Sequence, residues 1–435
     1  MNIKQKLSHI KSDLYIRFFL SLSDKTYIDY QRQFLTRTLR NAQRDVPFYN
    51  KILKGIEINK NNCFEILSRL PIIDKNVIRL VDKDIYANYV DENWKSWHNT
   101  GGSTGSPLHF PTHGNSRWCL DGESFCQAWL YMQMSGSYKL RISSVDGRRV
   151  DESKLNQNIY WGTNELNFPY GITHYSTIYL NSDTFPYYLK HLNDEKPVIL
   201  RGYPSGIYEL AKLIEESQST LDFKIKAIYL TSENILDYQV ALIERVFDCK
   251  VWGQYGHSEA SIFAVKRPHQ DSYKCHPLYG YVEVIGENGE HVQQGEVGEI
   301  VVTGFQYAAL PFIRYRTGDL AEYGGIKNGY VILNKLLGRS GDYIIDKNGQ
   351  KIYLVGFIFG GHLKAFNHIN NWQIIQDEPG KLTLIVVKGN DYAKVTEKEL
   401  FDFFASKGFE INIQYTSAIK KTARGKQPFM IQNIK

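Results

Sequence analysis

Two short segments carry residue types that can bind a polyphosphate. Asn99 to Pro107 reads Asn-Thr-Gly-Gly-Ser-Thr-Gly-Ser-Pro, and Arg424-Gly425-Lys426 lies near the C-terminus. Backbone N–H groups and small side chains can approach phosphate oxygens without steric conflict, and a lysine can neutralise their charge. The same residues are also favoured in ordinary surface turns. The loop by itself therefore fits either a phosphate cradle or a turn.

Length and charge limit the classes of protein to which the chain can belong. At 435 residues with 43% hydrophobic residues, it is long enough for a large domain and a smaller one. The 52 Lys and Arg residues stand against 46 Asp and Glu residues and are scattered along the sequence. This distribution argues against a nucleic-acid partner. The one tight basic cluster, from Lys420 to Lys426, has the charge pattern of a solvated tail.

Cysteine usage and the N-terminus indicate the compartment. The five cysteines have irregular spacing and no C-x-x-C pair, which favours reduced thiols in a cytoplasm. An apolar stretch from Leu14 to Leu22 is interrupted by Arg17 and is too short to span a bilayer. We therefore expect a cytoplasmic protein with no integral membrane association. The start of the chain is expected to form an amphipathic helix, and a peripheral membrane contact stays open.

Hydrophobic periodicity predicts an α/β fold. Residues 27–44 repeat at helical spacing, and short apolar strands alternate with amphipathic helices between residues 197 and 259. This alternation indicates right-handed crossovers and a parallel or mixed sheet, with ligands at the carboxyl ends of the strands. The loops there are 202–204, 231–233 and 253–259. An antiparallel subdomain follows residue 279, and a small α+β domain ends the chain.

Five landmarks appear in a fixed order along the chain: TGGSTGSP, YGHSE, YRTGDL, GRSGDYI and ARGKQ. Their order and spacing resemble the adenylate-forming superfamily of acyl-CoA ligases, and within it the phenylacetate-CoA ligase family with its capsular-polysaccharide-associated relatives. RNAQRDVPFYNK and LPIIDKNVIR also look like the helical N-terminal region of that family, and NWQIIQDEPGKL looks like its C-terminal domain. The resemblance covers nearly the whole chain. It implies an adenylation domain over residues 1–341, helical over about 1–95, and a mobile C-terminal domain over 342–435 that pivots at Asp342.

The resemblance implies an ATP-binding site. The positions that match nucleotide-contacting residues of the family are Ser103, Thr104, Gly105, Ser232, Glu233, Gln254, Tyr255, Gly256, Ser258, Asp319 and Arg339. Residues 103–105 match the phosphate-gripping loop. Tyr255 matches the aromatic residue that stacks on adenine, and Asp319 matches the aspartate that accepts both ribose hydroxyls.

Two residues match catalytic positions of the family. Lys426 matches the lysine that bridges the substrate carboxylate and the α-phosphate, and Glu259 matches the glutamate that binds Mg²⁺. The reaction that this implies is attack of a carboxylate on the α-phosphate of ATP, with release of pyrophosphate. The acyl group then passes to an acceptor, with coenzyme A as the first expectation.

The sequence also departs from the family pattern. Lys335-Leu336-Leu337 stands where members often carry zinc-binding cysteines, and His269, Cys275 and His276 fall short of a tetrahedral set. The acyl pocket is expected near Phe125 to Met134, Gly202 to Pro204 and His257, but the aromatic residues in the first segment also fit a core helix.

Three functions stay open at the level of the sequence. One is an acyl-CoA ligase acting on a small-molecule carboxylic acid. Another is an adenylate-forming ligase that transfers the acyl group to an amine or hydroxyl of a glycan precursor. The last is a nucleotide-binding protein without turnover. A homodimer is the commonest state for soluble enzymes and is compatible with each.

Overall fold

The computed structural model of the chain describes residues 3–100, 108–112, 122–164, 172–339, 343–354, 365, 368–389, 392–419 and 428–434. These residues form a mixed α/β structure that divides into two units. The first unit takes its residues from Met1–Arg141 and Trp252–Leu336, and the second takes its residues from Ile142–Asn164, Ile172–Val251 and Leu337–Lys435. No described helix combines the length and the apolar character that crossing a bilayer requires.

The first unit begins with helices. They are α1 Ile3–Leu20, α2 Asp24–Asp45, α3 Pro47–Leu53, α4 Cys63–Arg69, α5 Lys75–Val81 and, after a 3-10 helix at Asp82–Ile85, α6 Gly122–Ser135. The predicted helix over 27–44 is confirmed as α2. Its core face is set by Leu35, Leu39 and Ala42, which are buried at helical spacing. Pro47 then starts α3 at its first position, where proline loses no hydrogen bond.

The strands of the first unit form mainly antiparallel pairs. They are β1 Trp97–Asn99, β2 His109–Pro111, β8 Lys250–Gly256, β9 Phe263–Lys266, β10 Tyr273–Cys275, β11 Gly280–Ile285, β12 Val297–Gly304, β13 Tyr315–Lys327 and β14 Tyr330–Arg339. β8 enters this unit at Trp252, and the last residues of β14 lie beyond it. β11, β12 and β13 pair in sequence, with Gly280 opposite Gly304, which confirms the predicted antiparallel subdomain. Asn328 and Gly329, both at positive φ, turn β13 into β14.

A buried arginine ties β13 to its neighbours. Arg314, just before β13, donates from Nε and Nη2 to the Glu283 carboxylate of β11 at 3.2 and 2.9 Å. Its Nη1 donates to the carbonyl oxygens of Ser68 and Leu70 at 2.8 and 2.9 Å. One guanidinium thus joins the end of α4, the strand β11 and the start of β13.

The second unit contains the predicted parallel sheet. Its middle segment comprises β3 Ile142–Asp146, α7 Glu152–Leu155, β4 Trp161–Asn164, β5 Ile172–Ser176, α8 Phe185–Glu195, β6 Ile199–Gly202, α9 Pro204–Glu216, β7 Ala227–Thr231 and α10 Asp237–Phe247. β5, β3, β6 and β7 are parallel neighbours, and β4 adds an antiparallel edge. Leu200, Ile207, Leu210 and Ile243 are among the residues that pack the helices onto this sheet.

The end of β6 is tightly packed. A Cβ atom on Gly202 would lie 2.2 Å from the carbonyl oxygen of Val145 in β3, so only glycine fits. Tyr203 N donates to the same oxygen at 3.0 Å. The loop 202–204 is therefore fixed against the carboxyl end of β3, and α9 begins at Pro204.

The C-terminal elements have a core of their own. They are β15 Tyr343–Ile345, β16 Lys351–Tyr353, β17 Ile369–Glu378, β18 Lys381–Lys388, α11 Lys394–Ser406, β19 Glu410–Tyr415 and β20 Met430–Gln432. β19, β18, β17 and β20 form one sheet, and Trp372, Leu384, Leu400 and Phe404 are buried in its core. The expected pivot Asp342 lies outside the described residues.

Candidate functional site

Several predicted site residues lie on the segment from β8 to the turn that follows it. Gln254, Tyr255 and Gly256 end β8, and Ser258 and Glu259 form the turn. Gly256 has little room for a side chain, because a Cβ atom there would lie 3.0 Å from the carbonyl oxygen of Ile262. The phosphate-loop residues Ser103, Thr104 and Gly105 lie outside the described residues, as does Lys426.

Tyr255 and Asp319 are brought together across the first unit. The phenol Oη of Tyr255 in β8 donates to Asp319 Oδ2 in β13 at 2.6 Å. The backbone N–H of Asp319 donates to Thr317 Oγ1 at 3.1 Å, which fixes the strand at this point. Both side chains are half-buried. An aromatic ring and a carboxylate are thus held next to each other at an accessible position.

Glu259 is buried, with only 6% of its surface exposed. Tyr315 Oη donates to its Oε1 at 3.1 Å. His257 Nδ1 lies 3.3 Å from its Oε2, an ion-pair distance without hydrogen-bond geometry. Burial alone would raise the pKa of Glu259, but the charges of His257 and Lys75 outweigh burial and lower the pKa to about 2. The carboxylate is therefore ionised throughout the physiological pH range.

The sequence analysis missed two residues that surround Glu259. Tyr315 lies in the YRTGDL motif, four residues before Asp319, so its place in the same strand was a signal available in the sequence. Lys75 begins α5 in the segment LPIIDKNVIR, and no periodicity connects it to Glu259. Only the tertiary fold reveals that its charge acts on this carboxylate.

The chain is similar in sequence to known proteins. Residues 344–433 match the family model described as the CapK C-terminal domain. The chain is 27% identical over 418 residues to Protein CapK of Staphylococcus aureus, covering 90% of this chain and 88% of that protein. It is 24% identical over 330 residues to phenylacetate-coenzyme A ligase of Pseudomonas putida, covering 73% and 71% of the two chains.

A solved structure shows the same fold. A 2-hydroxyisobutyryl-CoA ligase in the postadenylation state, in complex with R3-HIB-AMP, superposes with a TM-score of 0.67 at 17% identity, covering 92% of this chain and 88% of the ligase. The chain has the fold of an adenylate-forming ligase. Over most of its length it is similar in sequence to CapK, and its C-terminal part matches the CapK C-terminal domain.

The second unit holds two further residues expected in an adenylate-forming ligase. Ser232, just after β7, has a positive φ of 72°. Glu233 Oε2 accepts a hydrogen bond from Ser205 N at 3.0 Å, near the N-terminus of α9, where a negative charge is favourable. This contact gives Glu233 a structural role that the sequence did not predict. Whether it also touches nucleotide stays a prediction.

A half-buried aspartate at the carboxyl end of β3 pairs with a buried histidine, and the sequence did not predict this pair. Asp146 Oδ2 lies 2.7 Å from His174 Nδ1 of β5 and accepts from Ser144 Oγ at 3.0 Å. Burial raises the pKa of Asp146, but the hydrogen bond and charge of His174 outweigh burial and lower it. In open parallel sheets, ligands bind at the carboxyl ends of the strands. Arg339, the last residue of β14, is half-buried in the second unit.

Glu259 fits the magnesium site implied for an adenylate-forming ligase. Mg²⁺ usually binds one or two carboxylates and completes its shell with water and substrate phosphates. The ionised carboxylate of Glu259 is an oxygen ligand of the kind that Mg²⁺ prefers. Among the described residues no cluster of three or more His, Cys, Asp or Glu side chains could hold a metal ion.

The three residues considered as zinc ligands, His269, Cys275 and His276, have different environments. His276 is buried among aromatic rings, with Trp129 at 4.9 Å and Phe125 and Tyr27 at 5.3 Å between centroids. Burial and the nearby charge of Lys274 lower its pKa to about 3, so the imidazole is neutral. Burial raises the pKa of the Cys275 thiol, and His269 is exposed. Phe125 and Trp129, considered for the acyl pocket, pack here as core.

Proposed function

We propose that the chain activates a carboxylic acid with ATP as an acyl-AMP and then transfers the acyl group, with coenzyme A as the first acceptor. The observation that carries the proposal is the hydrogen bond between Tyr255 and Asp319. Close to it in the sequence, the ionised Glu259 follows β8 and accepts a hydrogen bond from Tyr315 of β13. The similarity in sequence to CapK and to phenylacetate-coenzyme A ligase supports it.

Adenylation must bring two anions together. A carboxylate oxygen of the acid forms a bond to the α-phosphorus, the bond from that phosphorus to the bridging oxygen breaks, and pyrophosphate leaves. In our proposal Asp319 accepts the ribose hydroxyls and Tyr255 packs against the adenine, so that their mutual hydrogen bond positions the nucleotide before reaction. Mg²⁺ held by Glu259 would neutralise charge on the phosphate oxygens.

Lys426 is proposed to supply the positive charge at the reacting centre. A lysine between the carboxylate and the α-phosphate stabilises charge that develops in the transition state. Ser103, Thr104 and Gly105 are proposed to hold the departing phosphates, and Arg339 is proposed to contact the nucleotide. These roles come from the sequence motifs in which the residues lie.

In the second step the acyl carbonyl accepts a nucleophile and AMP leaves. A coenzyme A thiol would give a thioester, as expected from the likeness to a coenzyme A ligase. A glycan-precursor amine or hydroxyl is the second candidate acceptor. The observation that favours this candidate is the higher identity to CapK than to phenylacetate-coenzyme A ligase, with the matched CapK C-terminal domain.

Pyrophosphate release tests the proposal. The full chain is incubated with ATP, magnesium and a panel of aryl, aliphatic, amino and uronic acids, each alone, with coenzyme A, or with a sugar amine. We expect release that depends on one class of acid, and a thioester when coenzyme A is present. Release that requires the sugar amine would replace coenzyme A with the glycan acceptor. Nucleotide binding without release for any acid would overturn the ligase proposal.

A further inference from the structure

Helix α1 presents an apolar stripe to solvent. Ile10, Leu14 and Phe18 follow one another at intervals of four residues, and 58%, 63% and 48% of their surfaces are exposed. Earlier in the sequence, Leu7 lies three residues before Ile10, and Ile3 lies four residues before Leu7. At about 100° per residue, positions with this spacing share a narrow arc of a helix.

The other side of α1 is attached to the first unit. Ile16 and Phe19 are buried, and the Phe19 ring packs 5.4 Å from that of Phe125 in α6. Asp13 accepts a hydrogen bond from Tyr138 Oη at 2.7 Å. The helix is therefore apolar on two sides. The first unit covers the Ile16–Phe19 side. On the other side the Phe18 ring contacts the Tyr30 ring of α2 at 6.2 Å between centroids and keeps 48% of its surface exposed.

The charge of α1 indicates what covers the exposed side. The helix carries four basic residues, Lys4, Lys6, Lys11 and Arg17, against one acidic residue, Asp13. By helical spacing, positions 4 and 11 lie along one margin of the stripe and positions 6 and 17 lie along the other. An apolar strip bordered by cations matches the boundary between acyl chains and anionic headgroups. A second copy of the stripe would oppose cations to cations.

We propose that α1 docks on the surface of an anionic lipid bilayer. The helix lies in the plane of the interface, with Ile10, Leu14 and Phe18 entering the headgroup and acyl boundary. In general, lysine and arginine can place their charged ends among polar headgroups while their methylene stems lie along apolar surface. Docking would bring the first unit to a membrane surface. The inference is independent of the proposed ligase activity.

Flotation of the full chain with vesicles tests the proposal. The chain is mixed with vesicles of equal parts phosphatidylglycerol and phosphatidylcholine, or of phosphatidylcholine alone. We expect binding to the anionic vesicles that weakens as salt is raised. In the Leu14→Ser/Phe18→Ser variant the partition coefficient is expected to fall at least about tenfold, because two apolar side chains no longer enter the bilayer.

The matched control is Leu80→Ser/Ile326→Ser, which removes two other exposed apolar side chains of the first unit. It is expected to float like the unchanged chain, and thermal unfolding verifies that both variants are folded. Absence of binding to anionic vesicles, or an equal loss in the control, would overturn the proposal. Sedimentation that shows a dimer abolished by Leu14→Ser/Phe18→Ser would assign the stripe to a second copy instead.

Discussion

Asp319 and Tyr255 lie 64 residues apart in the sequence and meet in one 2.6 Å hydrogen bond. The resemblance of their motifs, YGHSE and RTGDL, to those of adenylate-forming ligases predicted that each belongs to the nucleotide site. The hydrogen bond between them was not predictable, because it depends on the registers of β8 and β13. The same is true of the Lys75 charge that acts on Glu259.

Asp319→Asn is expected to raise the KM for ATP by about 10- to 100-fold, because a charged acceptor is lost. Tyr255→Phe keeps the ring and is expected to have a smaller effect. Because the two residues are in contact, their effects should not be additive in the double variant. Steady-state kinetics and calorimetric binding of ATP measure this, with exposed Asp271→Asn as the control. An unchanged KM in Asp319→Asn would remove the ribose assignment.

A second prediction at the residue scale concerns Glu259 and the dependence of the free energy of unfolding on pH. Its pKa falls from 4.5 to about 2 on folding, so its charge stabilises the fold fully above pH 4.5. That contribution, at most about 3 kcal/mol, is lost as the pH falls toward 2. The gap in apparent unfolding free energy between the unchanged chain and Glu259→Gln should therefore shrink on acidification.

Urea unfolding followed by tryptophan fluorescence between about pH 6 and about pH 3 measures this gap. The control is Glu287→Gln, which alters an exposed carboxylate. It should show a small difference at every pH. A gap for Glu259→Gln that does not change with pH would contradict the lowered pKa.

At the scale of elements, periodicity predicted α2, α9, α10 and the antiparallel pairing of β11 with β12. It succeeded because each element buries one regular face. It could not predict how the elements are joined. The bidentate contact of Arg314 with Glu283 was missed, because no local pattern links a residue before β13 to one in β11. This contact positions the strand that carries Tyr315 and Asp319.

Arg314→Met is expected to lower the apparent free energy of unfolding by about 3 to 5 kcal/mol, because it leaves the Glu283 carboxylate buried without its partner. Arg314→Met/Glu283→Met should recover much of this loss. Chemical denaturation measures both. The control Arg69→Met breaks the exposed Arg69–Glu65 pair and should cost less than about 1 kcal/mol. Equal losses in Arg314→Met and Arg69→Met would contradict the anchoring role.

At the scale of the whole molecule, the residues predicted to contact the nucleotide are distributed over the two units. Tyr255, Glu259 and Asp319 lie in the first unit, and Glu233 and Arg339 lie in the second. The proposed catalytic lysine, Lys426, lies within residues 344–433, which match the CapK C-terminal domain. Adenylation and acyl transfer have different chemical needs, and we expect the C-terminal domain to move between the two steps.

Lys426→Ala is expected to abolish acid-dependent exchange of pyrophosphate into ATP while leaving ATP affinity nearly unchanged. Acyl transfer from an acyl-AMP supplied directly should be much less affected, because the lysine acts in the first step. Lys421→Ala, in the same basic cluster, is the matched control and should retain exchange. Full exchange in Lys426→Ala would contradict the assignment of this lysine.

In the proposed reaction an oxygen of the carboxylic acid attacks the α-phosphorus of ATP. The most direct measurement uses an acid, identified from the panel, whose carboxyl group is labelled with ¹⁸O, followed by mass spectrometry of the nucleotide product. We expect AMP that carries one labelled oxygen, because the bond between phosphorus and that oxygen survives acyl transfer. Unlabelled AMP, or ADP as the nucleotide product, would contradict it.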